Sequence, residues 1–253
     1  AATLLGQRRL EEALAVLETA SRSGIALTPE LQSVRAEALV LQGKPQEAEQ
    51  VYRAVIASNP KDGKSLAGLA GIILGRGKAE EAVGLYTDAR AARPADPRIR
   101  VGLALAKDRM GKRDEAIREL EGIEGRARTV PVMLALGELY LKANRAGEAS
   151  AVLAPLVERA PKFARARYLL GSAYLAGNRP DQAIVEFEEL NKQVPNDPLI
   201  QYRLARAYGQ RGRAREALAL LNGLAKPLEK AAEYHVERGR VLLLLGRHDE
   251  ALR

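Results

Sequence analysis

Several residue types are scarce in this sequence of 253 residues, and each shortage excludes a kind of chemistry. There is no cysteine, so disulfides, thiolate nucleophiles and cysteine-ligated zinc are excluded. His235 and His248 are the two histidines, so a metal site would have to consist mostly of carboxylates. Tryptophan is absent and aromatic residues make up 4% of the chain, a low share for one large hydrophobic core.

Sequence motifs of common enzymes are also missing. The chain has no GxGxxG between a strand and a helix, no Walker sequence and no GxSxG. The glycine-rich stretch from Leu66 to Gly77 lies on a predicted helix rather than in a phosphate-binding loop. Acidic pairs such as Glu80-Glu81 stand near the starts of predicted helices, where they complement the helix dipole. We therefore predict that the protein is not an enzyme and has no catalytic residue, cofactor or metal.

Long hydrophobic runs and one-sided charge are lacking as well. The apolar run Val241 to Leu245 is far shorter than the ~18 residues of a membrane span, and no signal peptide is recognisable. The net charge of +8 is spread along the chain without a polybasic tail. The chain begins with Ala1 rather than Met, so we expect a mature chain or a piece of a longer one. Bacterial cytoplasm and periplasm or envelope both stay open as its location.

What the sequence does contain is a repeat. Alanines in the same local setting recur at steps of 33 to 35 residues, at Ala13, Ala48, Ala82, Ala116, Ala149, Ala183, Ala217 and Ala251. Each of the last seven follows a small residue by 12 positions, namely Ala36, Ala70, Ala104, Gly137, Gly171, Ala205 and Gly239. A bulky residue comes four positions after the first seven alanines, as Leu17, Tyr52, Tyr86, Leu120, Leu153, Phe187 and Leu221.

This spacing predicts pairs of antiparallel helices. The small residue of the first helix faces the alanine of the second, so the two backbones approach closely and the bulky residue fills the space beside the contact. Five residues before most of the alanines stands a glycine, which fits a left-handed residue at the end of the first helix. These residues are Gly43, Gly77, Gly111, Gly212 and Gly246, with Asn144 and Asn178 at the same place in two other pairs.

The pattern closely resembles the tetratricopeptide repeat (TPR), a helix–turn–helix unit of about 34 residues with small residues at its eighth and twentieth positions. The resemblance implies an all-α fold, a right-handed superhelical solenoid of antiparallel helix pairs that spans residues 1–253 as one array. We place repeats at 29–62, 63–96, 97–129, 130–163, 164–197 and 198–231, with partial repeats at 1–28, including a second helix at 8–24, and at 232–253. A pentatricopeptide array is the nearest rival. Neither end carries a polar capping helix, so we expect a longer array or end-to-end pairing.

One repeat departs from the pattern. In the repeat 97–129, Lys107 stands where later repeats have tyrosine, and Gly122 and Gly125 are predicted to lie inside the second helix, where each costs about 1 kcal/mol relative to Ala. Gly223 repeats the irregularity. We interpret these glycines as a local irregularity or an early helix end, with a functional bend as the alternative.

In solenoids of this kind, the first helices line a concave groove. The resemblance assigns to that groove the second, fifth, sixth, ninth, twelfth and thirteenth positions of each repeat. The candidate partner-binding residues at these positions are Lys64, Gly68, Gly71, Arg98, Leu105, Arg109, Leu134, Glu138, Arg165, Tyr168, Ser172, Tyr202, Arg203, Arg206 and Arg240.

A glycine strip is the first distinctive part of this set. Gly68, Gly71 and Gly75 follow one another on one helix and leave it almost free of side chains. Such a strip either admits the backbone of a ligand or packs closely against a neighbouring helix of the array. Both interpretations stay open at the level of sequence.

A cluster of tyrosine and arginine is the second distinctive part. Tyr168 and Tyr202 share a repeat position and lie beside Arg165, Arg203 and Arg206. Tyr and Arg are enriched at binding hot spots, and Arg pairs with carboxylates. We expect an acidic or C-terminal peptide segment to dock there; solvated arginines without a partner are the alternative.

The resemblance implies a non-enzymatic protein–protein interaction scaffold that binds a peptide or helix of a partner protein. Its expected settings are bacterial envelope assembly, secretion or polysaccharide export. No repeat has the lysine–asparagine pair that grips chaperone C-termini in some TPR proteins, so a chaperone adaptor is disfavoured.

Two other classes of function stay as alternatives. Nucleic-acid binding is disfavoured, because residues 195–253 carry 11 basic and 7 acidic groups (11 − 7 = +4) and few aromatics for base stacking. Self-assembly into a homo-oligomer through the uncapped terminal repeats is the third class.

Overall fold

The structure, a computed structural model, describes residues 27–252 together with residues 12, 14–17, 19 and 23. Every regular element of this part is helical, which confirms the all-α prediction. The helix predicted at 8–24 lies mostly outside the described residues; within it, residues 12, 14–17 and 19 are helical. Of the helices in these ranges, none is both long and apolar enough to cross a membrane.

The helices follow one another in consecutive pairs along the chain. The first helices of the pairs are α1 (Pro29–Leu41), α3 (Gly63–Gly75), α5 (Pro97–Arg109), α7 (Val130–Lys142), α9 (Ala164–Ala176), α11 (Pro198–Arg211) and α13 (Ala232–Leu244). The second helices are α2 (Pro45–Ser58), α4 (Ala79–Ala92), α6 (Arg113–Glu121), α8 (Ala146–Arg159), α10 (Pro180–Gln193), α12 (Ala214–Gly223) and α14 (His248–Ala251). Each first helix begins at the residue where we start a repeat.

The chain divides into two compact units, residues 1–132 and 133–253, which we call the N-terminal unit and the C-terminal unit. Within the N-terminal unit, α3 packs on α2 and α4, and α5 packs on α4 and α6. Within the C-terminal unit, α9 packs on α8 and α10, and α11 packs on α10 and α12. Each unit is thus a stack of helix pairs in chain order, the layered arrangement of a helical-repeat solenoid.

The turns inside the pairs adopt the predicted geometry. All five glycines named for these turns have positive φ, between 72° and 86°, and Asn144 and Asn178 have φ of 56° and 53°. The left-handed residue and the next one donate their N–H groups back to the first helix, as Gly43 does to the Val40 carbonyl and Lys44 to the Leu39 carbonyl. This pair of bonds satisfies carbonyls that the helix end would otherwise leave without partners.

The small residues create the notches that the repeat spacing predicts. An added Cβ at Gly171 would lie 2.9 Å from Phe187 Cζ, and one at Gly137 would lie 2.8 Å from Leu153 Cγ. The partner alanines Ala149 and Ala183 are completely buried. The helices of a pair therefore approach as closely as they do because one side chain is missing and a bulky one fills the gap.

The irregular repeat resolves as an early helix end. The helix α6 stops at Glu121, so the prediction that Gly122 and Gly125 lie inside it is wrong, while the early helix end that we offer as an interpretation is found. Gly125 has φ of 57° in a short 3-10 turn, Gly125–Ala127. Arg100 of α5 donates to the Gly122 carbonyl at 3.1 Å and also to the Glu119 carbonyl. A side chain from the preceding helix thus takes over bonds that a longer α6 would have made itself.

Candidate functional site

A groove of about 840 Å³ runs over the first helices of the N-terminal unit. The lining comes mainly from α1, α3 and α5, and it includes the predicted groove residues Lys64, Gly68, Gly71 and Arg98. The other residues that line it are Ser33, Glu37, Val40, Leu41, Gly43, Pro45, Gln46, Tyr52, Gly63, Ala67, Ile72, Gly75, Arg76, Tyr86, Asp96 and Ile99.

Two tyrosines from second helices reach this groove through glycine notches. An added Cβ at Gly68 would lie 2.3 Å from Tyr52 Cζ, and one at Gly102 would lie 2.4 Å from Tyr86 Cζ. These contacts are far too short for any side chain, so the rings of Tyr52 and Tyr86 occupy space that only glycine leaves free. Each ring forms part of the groove lining.

The hydroxyl groups of these tyrosines lack a partner within the protein as described. Tyr52 is 4% exposed and Tyr86 is 8% exposed, and neither hydroxyl makes a hydrogen bond to any described residue. Burial raises the pKa of both phenols, and the charges of Glu37 and Asp62 raise that of Tyr52 further. Both groups are therefore neutral and able to donate a hydrogen bond at physiological pH.

The glycine strip serves two purposes. Gly68 makes room for Tyr52, so at this position the close-packing interpretation holds, although the neighbour is a tyrosine ring rather than a helix backbone. Gly71 and Gly75 are exposed in the groove. A Cβ at Gly71 would meet the Tyr86 hydroxyl at an ordinary 3.5 Å, and one at Gly75 would meet nothing within 4 Å. These two glycines leave open space above the groove floor.

The groove rim carries charges of both signs. Lys64 Nζ lies 3.9 Å from Glu37 Oε2, and the Arg98 guanidinium lies 2.9 Å from Asp96 Oδ2. The hydrogen bond from Arg98 lowers the pKa of Asp96, although burial opposes it. Since cations and carboxylates are paired, the rim offers no excess of one charge to a ligand.

The remaining predicted residues of this unit contribute less. Leu105 is half-buried and packs on the hydrophobic core. Arg109 donates to the Leu74 carbonyl at 2.5 Å, which ties the end of α5 to the end of α3. Both side chains support the first helices rather than the open groove.

In the C-terminal unit, the predicted tyrosine–arginine cluster is largely paired within the protein. Arg165 lies 2.6 Å from the Glu138 carboxylate. Arg203 donates to the Tyr168 hydroxyl at 3.0 Å, and the Tyr202 hydroxyl donates to the Glu233 carbonyl at 3.0 Å. Arg165 and Arg203 thus have contacts within the protein, although the side chain of Arg165 remains exposed to solvent.

The same unit pairs two more of its predicted arginines with one carboxylate. Arg240 lies 2.5 Å and Arg206 lies 3.9 Å from the buried Glu237 carboxylate. Ser172 donates its hydroxyl to the Tyr168 carbonyl, and Leu134 is buried. An acidic ligand would have to displace Glu138 or Glu237 to engage most of these cations.

Sequence reasoning missed Tyr52 and Tyr86 as groove residues, because it treated them as bulky fillers of the helix pair. A signal was present. Each tyrosine is followed 16 residues later by a glycine, Gly68 and Gly102, which a search for paired large and missing side chains would have found.

The architecture defines a class: a helical-repeat scaffold with a groove on its first helices. Three sequence models described as "Tetratricopeptide repeat" match the chain, one over residues 1–63 and 134–198, one over 74–131 and 174–238, and one over 232–253. The chain belongs to the tetratricopeptide repeat family, as its sequence pattern predicts. No curated protein matches it in sequence.

Solved structures with the same fold include several bacterial and other TPR chains. PilW, a widely conserved type IV pilus biogenesis factor, has a TM-score of 0.72 at 15% identity, covering 82% of this chain and 97% of PilW. A TPR protein from Parabacteroides merdae has a TM-score of 0.67 at 21% identity, covering 88% and 89%. YrrB, a TPR protein with an unusual peptide-binding site, has a TM-score of 0.56 at 18% identity, covering 79% and 95%. These likenesses establish the fold.

Proposed function

We propose that this protein is a non-enzymatic interaction scaffold that holds a peptide segment of a partner protein in the groove of its N-terminal unit. The observation that carries the proposal is the groove itself, with two exposed glycines above a floor that contains two tyrosine rings. Chains of the TPR family are typically scaffolds that bind protein or peptide partners without catalysis. The groove is long enough to cross three successive first helices, α1, α3 and α5.

The N-terminal groove is a better candidate than the arginine cluster of the C-terminal unit. A ligand entering the groove displaces no internal ion pair to reach Gly71 and Gly75, whereas Glu138 and Glu237 already neutralise Arg165, Arg206 and Arg240. The same ion pairs count against nucleic-acid binding, since paired guanidinium groups would have to exchange partners before they contact phosphates.

The cellular setting is a separate proposal. We place the scaffold in bacterial envelope assembly, secretion or polysaccharide export, and the pilus biogenesis factor PilW among the chains of similar fold is in line with the first of these. At 15% identity, that likeness supports the setting only through the shared fold.

A groove-filling variant tests the binding site. Peptides are selected from a randomised dodecapeptide phage library on the intact chain, and the dissociation constant of the tightest peptide is measured by fluorescence anisotropy. The double variant Gly71→Leu/Gly75→Leu places two side chains in open space, so we expect an intact fold and an affinity at least about ten-fold lower.

The matched control is Gly84→Leu. Gly84 also lies exposed inside a helix, α4, with nothing within 4 Å of an added Cβ, but it does not line the groove. The control variant should bind the peptide like the parent chain. Selected peptides that bind the groove-filled variant as tightly as the parent, or a selection that yields no binder, would count against the proposal.

A further inference from the structure

The N-terminal groove carries two hydroxyl groups that helix packing does not require. Tyr52 and Tyr86 occupy the same place in successive repeats, 34 residues apart. Phenylalanine would fill the same volume, and the C-terminal unit uses Leu153, Phe187 and Leu221 at this place. The chain nevertheless keeps two phenols whose oxygens have no hydrogen-bond partner among the described residues.

The glycine notches fix where these hydroxyls lie. Each ring passes the backbone of the following first helix at Gly68 or Gly102, where an added Cβ would overlap it. The Tyr86 oxygen ends close to Gly71, 3.5 Å from the place of an added Cβ, and Gly71 is exposed in the groove. Both hydroxyls therefore lie at the floor of the groove, beside backbone that carries no side chain.

The surroundings decide what kind of group such a hydroxyl can bind. A neutral phenol donates one hydrogen bond and has no charge with which to hold a carboxylate or phosphate. The negative charges of Glu37 and Asp62 act on Tyr52, which disfavours an anion beside it. An uncharged acceptor such as a peptide carbonyl fits both conditions.

The conformation of the ligand follows from the availability of its carbonyls. In an α-helix, main-chain carbonyls are already bonded within the helix, whereas an extended segment presents them along its length. The side-chain-free surface at Gly71 and Gly75 lets the main chain of a ligand approach the floor.

Resting on the proposed function, we propose that the Tyr52 and Tyr86 hydroxyls donate hydrogen bonds to two main-chain carbonyls of an extended segment of a partner protein. The two hydroxyls would thus contact the main chain of the partner segment rather than one of its side chains. The segment lies over Gly71 and Gly75, and the paired charges at the rim, Lys64 with Glu37 and Arg98 with Asp96, flank it.

The test uses the groove-binding dodecapeptide selected above. We expect Tyr52→Phe and Tyr86→Phe each to weaken its binding about five-fold, the effect of one net hydrogen bond. Neither substitution should lower the melting temperature, because the hydroxyls make no bond within the described protein. Tyr174→Phe is the control, since it removes a phenol hydroxyl outside the N-terminal unit and should leave binding unchanged.

Backbone esters in the peptide identify the acceptors. Replacing one amide by an ester weakens the adjoining carbonyl as an acceptor, so two ester positions should lose affinity for the parent chain. One of these losses should vanish in Tyr52→Phe and the other in Tyr86→Phe, as a double-mutant cycle requires for two groups in contact.

The outcomes separate this inference from the proposed function. If groove filling abolishes binding while both phenylalanine variants bind like the parent, the hydroxyl inference is overturned and the groove stands. A bound peptide that is helical by NMR also overturns it. A library that yields no groove-bound peptide overturns both.

Discussion

The two units use aromatic residues at different repeat positions. At the twenty-fourth position, on the second helices, the N-terminal unit has Tyr52 and Tyr86, whose hydroxyls reach the groove floor, and then the completely buried Leu120. The C-terminal unit has Leu153, Phe187 and Leu221 there, all completely buried and without a polar atom. In the first two pairs of the N-terminal unit this position serves both packing and the groove, whereas at Leu120 and in the C-terminal unit it serves packing alone.

The eleventh position, near the end of the first helices, shows the opposite distribution. In the C-terminal unit, each of the three tyrosines at this position stacks on the arginine five residues later. The guanidinium carbon lies 4.6, 4.6 and 4.2 Å from the ring centroid for Tyr140–Arg145, Tyr174–Arg179 and Tyr208–Arg213. The N-terminal unit has the pairs Leu39–Lys44, Ile73–Lys78 and Lys107–Lys112 at these positions. The stacked pairs reinforce turns whose main-chain bonds are the same in both units.

Repeat position, not residue type, therefore decides whether a tyrosine reaches the groove. A tyrosine at the eleventh position is committed to its own turn. A tyrosine at the twenty-fourth position reaches the groove when the sixth residue of the following first helix is a glycine. Gly68 plays this part for Tyr52, and Gly102 for Tyr86.

The largest effect is expected when that glycine is filled. Gly102→Leu places a side chain where the Tyr86 ring lies, since even a Cβ would be 2.4 Å from the ring. We expect a loss of about 3 kcal/mol in the free energy of unfolding, the upper range for overpacking a core. Urea denaturation followed by circular dichroism measures it.

The C-terminal unit supplies the rescue, because it carries Leu153 and Leu169 at the same two places. Adding Tyr86→Leu to Gly102→Leu should therefore recover most of the lost stability. Gly84→Leu, in open space on α4, should cost nothing. A Gly102→Leu chain as stable as its parent would mean that the notch is not required.

The repeat frame was predictable from sequence because it depends on local rules. Left-handed residues at Gly43 and Asn178 and the small–large contact of Gly171 with Phe187 follow from chain geometry and side-chain volume at fixed spacing. Helix ends were predictable in part: Gly122 and Gly125 indicated an early end of α6, and the structure places that end at Glu121. The carbonyls at that end accept hydrogen bonds from Arg100 of another helix, a contact that the spacing within one repeat does not reveal.

The candidate site was only partly predictable. Groove positions such as Lys64 and Gly71 came from the resemblance and line the groove. The pairing of Arg206 with Glu237, and the passage of Tyr86 past Gly102, join different repeats. Such contacts depend on how neighbouring repeats stack, which spacing within one repeat does not specify.

A second prediction concerns a buried ion pair that both units place at the fourth and twenty-third positions. Arg100 lies 2.9 Å from Glu119 in the N-terminal unit, and Arg167 lies 2.5 Å from Glu186 in the C-terminal unit. Burial on its own favours a higher pKa at both carboxyls, and the neighbouring arginines oppose it. At Glu119, Arg100 and Arg90 together outweigh burial and the pKa lies below its usual value, whereas at Glu186 burial prevails over Arg167.

The two carboxyls should therefore respond differently to neutralisation. We expect Glu119→Gln to lower the free energy of unfolding by about 2 kcal/mol at neutral pH, because a charged hydrogen-bonded partner of two arginines is lost, and Glu186→Gln to lower it by less.

The pH dependence of the two contributions also differs. The stabilisation by Glu119 is present above the unfolded-state pKa and is lost as pH falls through the lower folded-state pKa. For Glu186 the sign is opposite, and acidification through its raised pKa favours the folded state. Urea midpoints at pH 7 and about pH 3 measure both; equal costs at pH 7 would contradict the difference.

The smallest effect concerns the turn pairs and isolates the ring. Arg213 and Lys78 occupy the same repeat position, and each also forms an ion pair three residues on, with Glu216 at 2.9 Å and Glu81 at 3.6 Å. They differ in that Arg213 stacks on Tyr208 whereas Lys78 follows Ile73. Arg213→Ala should therefore lower the free energy of unfolding by about 1 kcal/mol more than Lys78→Ala does, the usual size of a half-exposed cation–π contact.

Salt separates the contribution of the ion pairs from that of the stacking, because it screens the exposed ion pairs of both units more than the stacking of Arg213 on Tyr208. If the difference between the variants vanishes in high salt, it came from the ion pairs, and tyrosine at the eleventh position would then add no more to its turn than the aliphatic residues of the N-terminal unit.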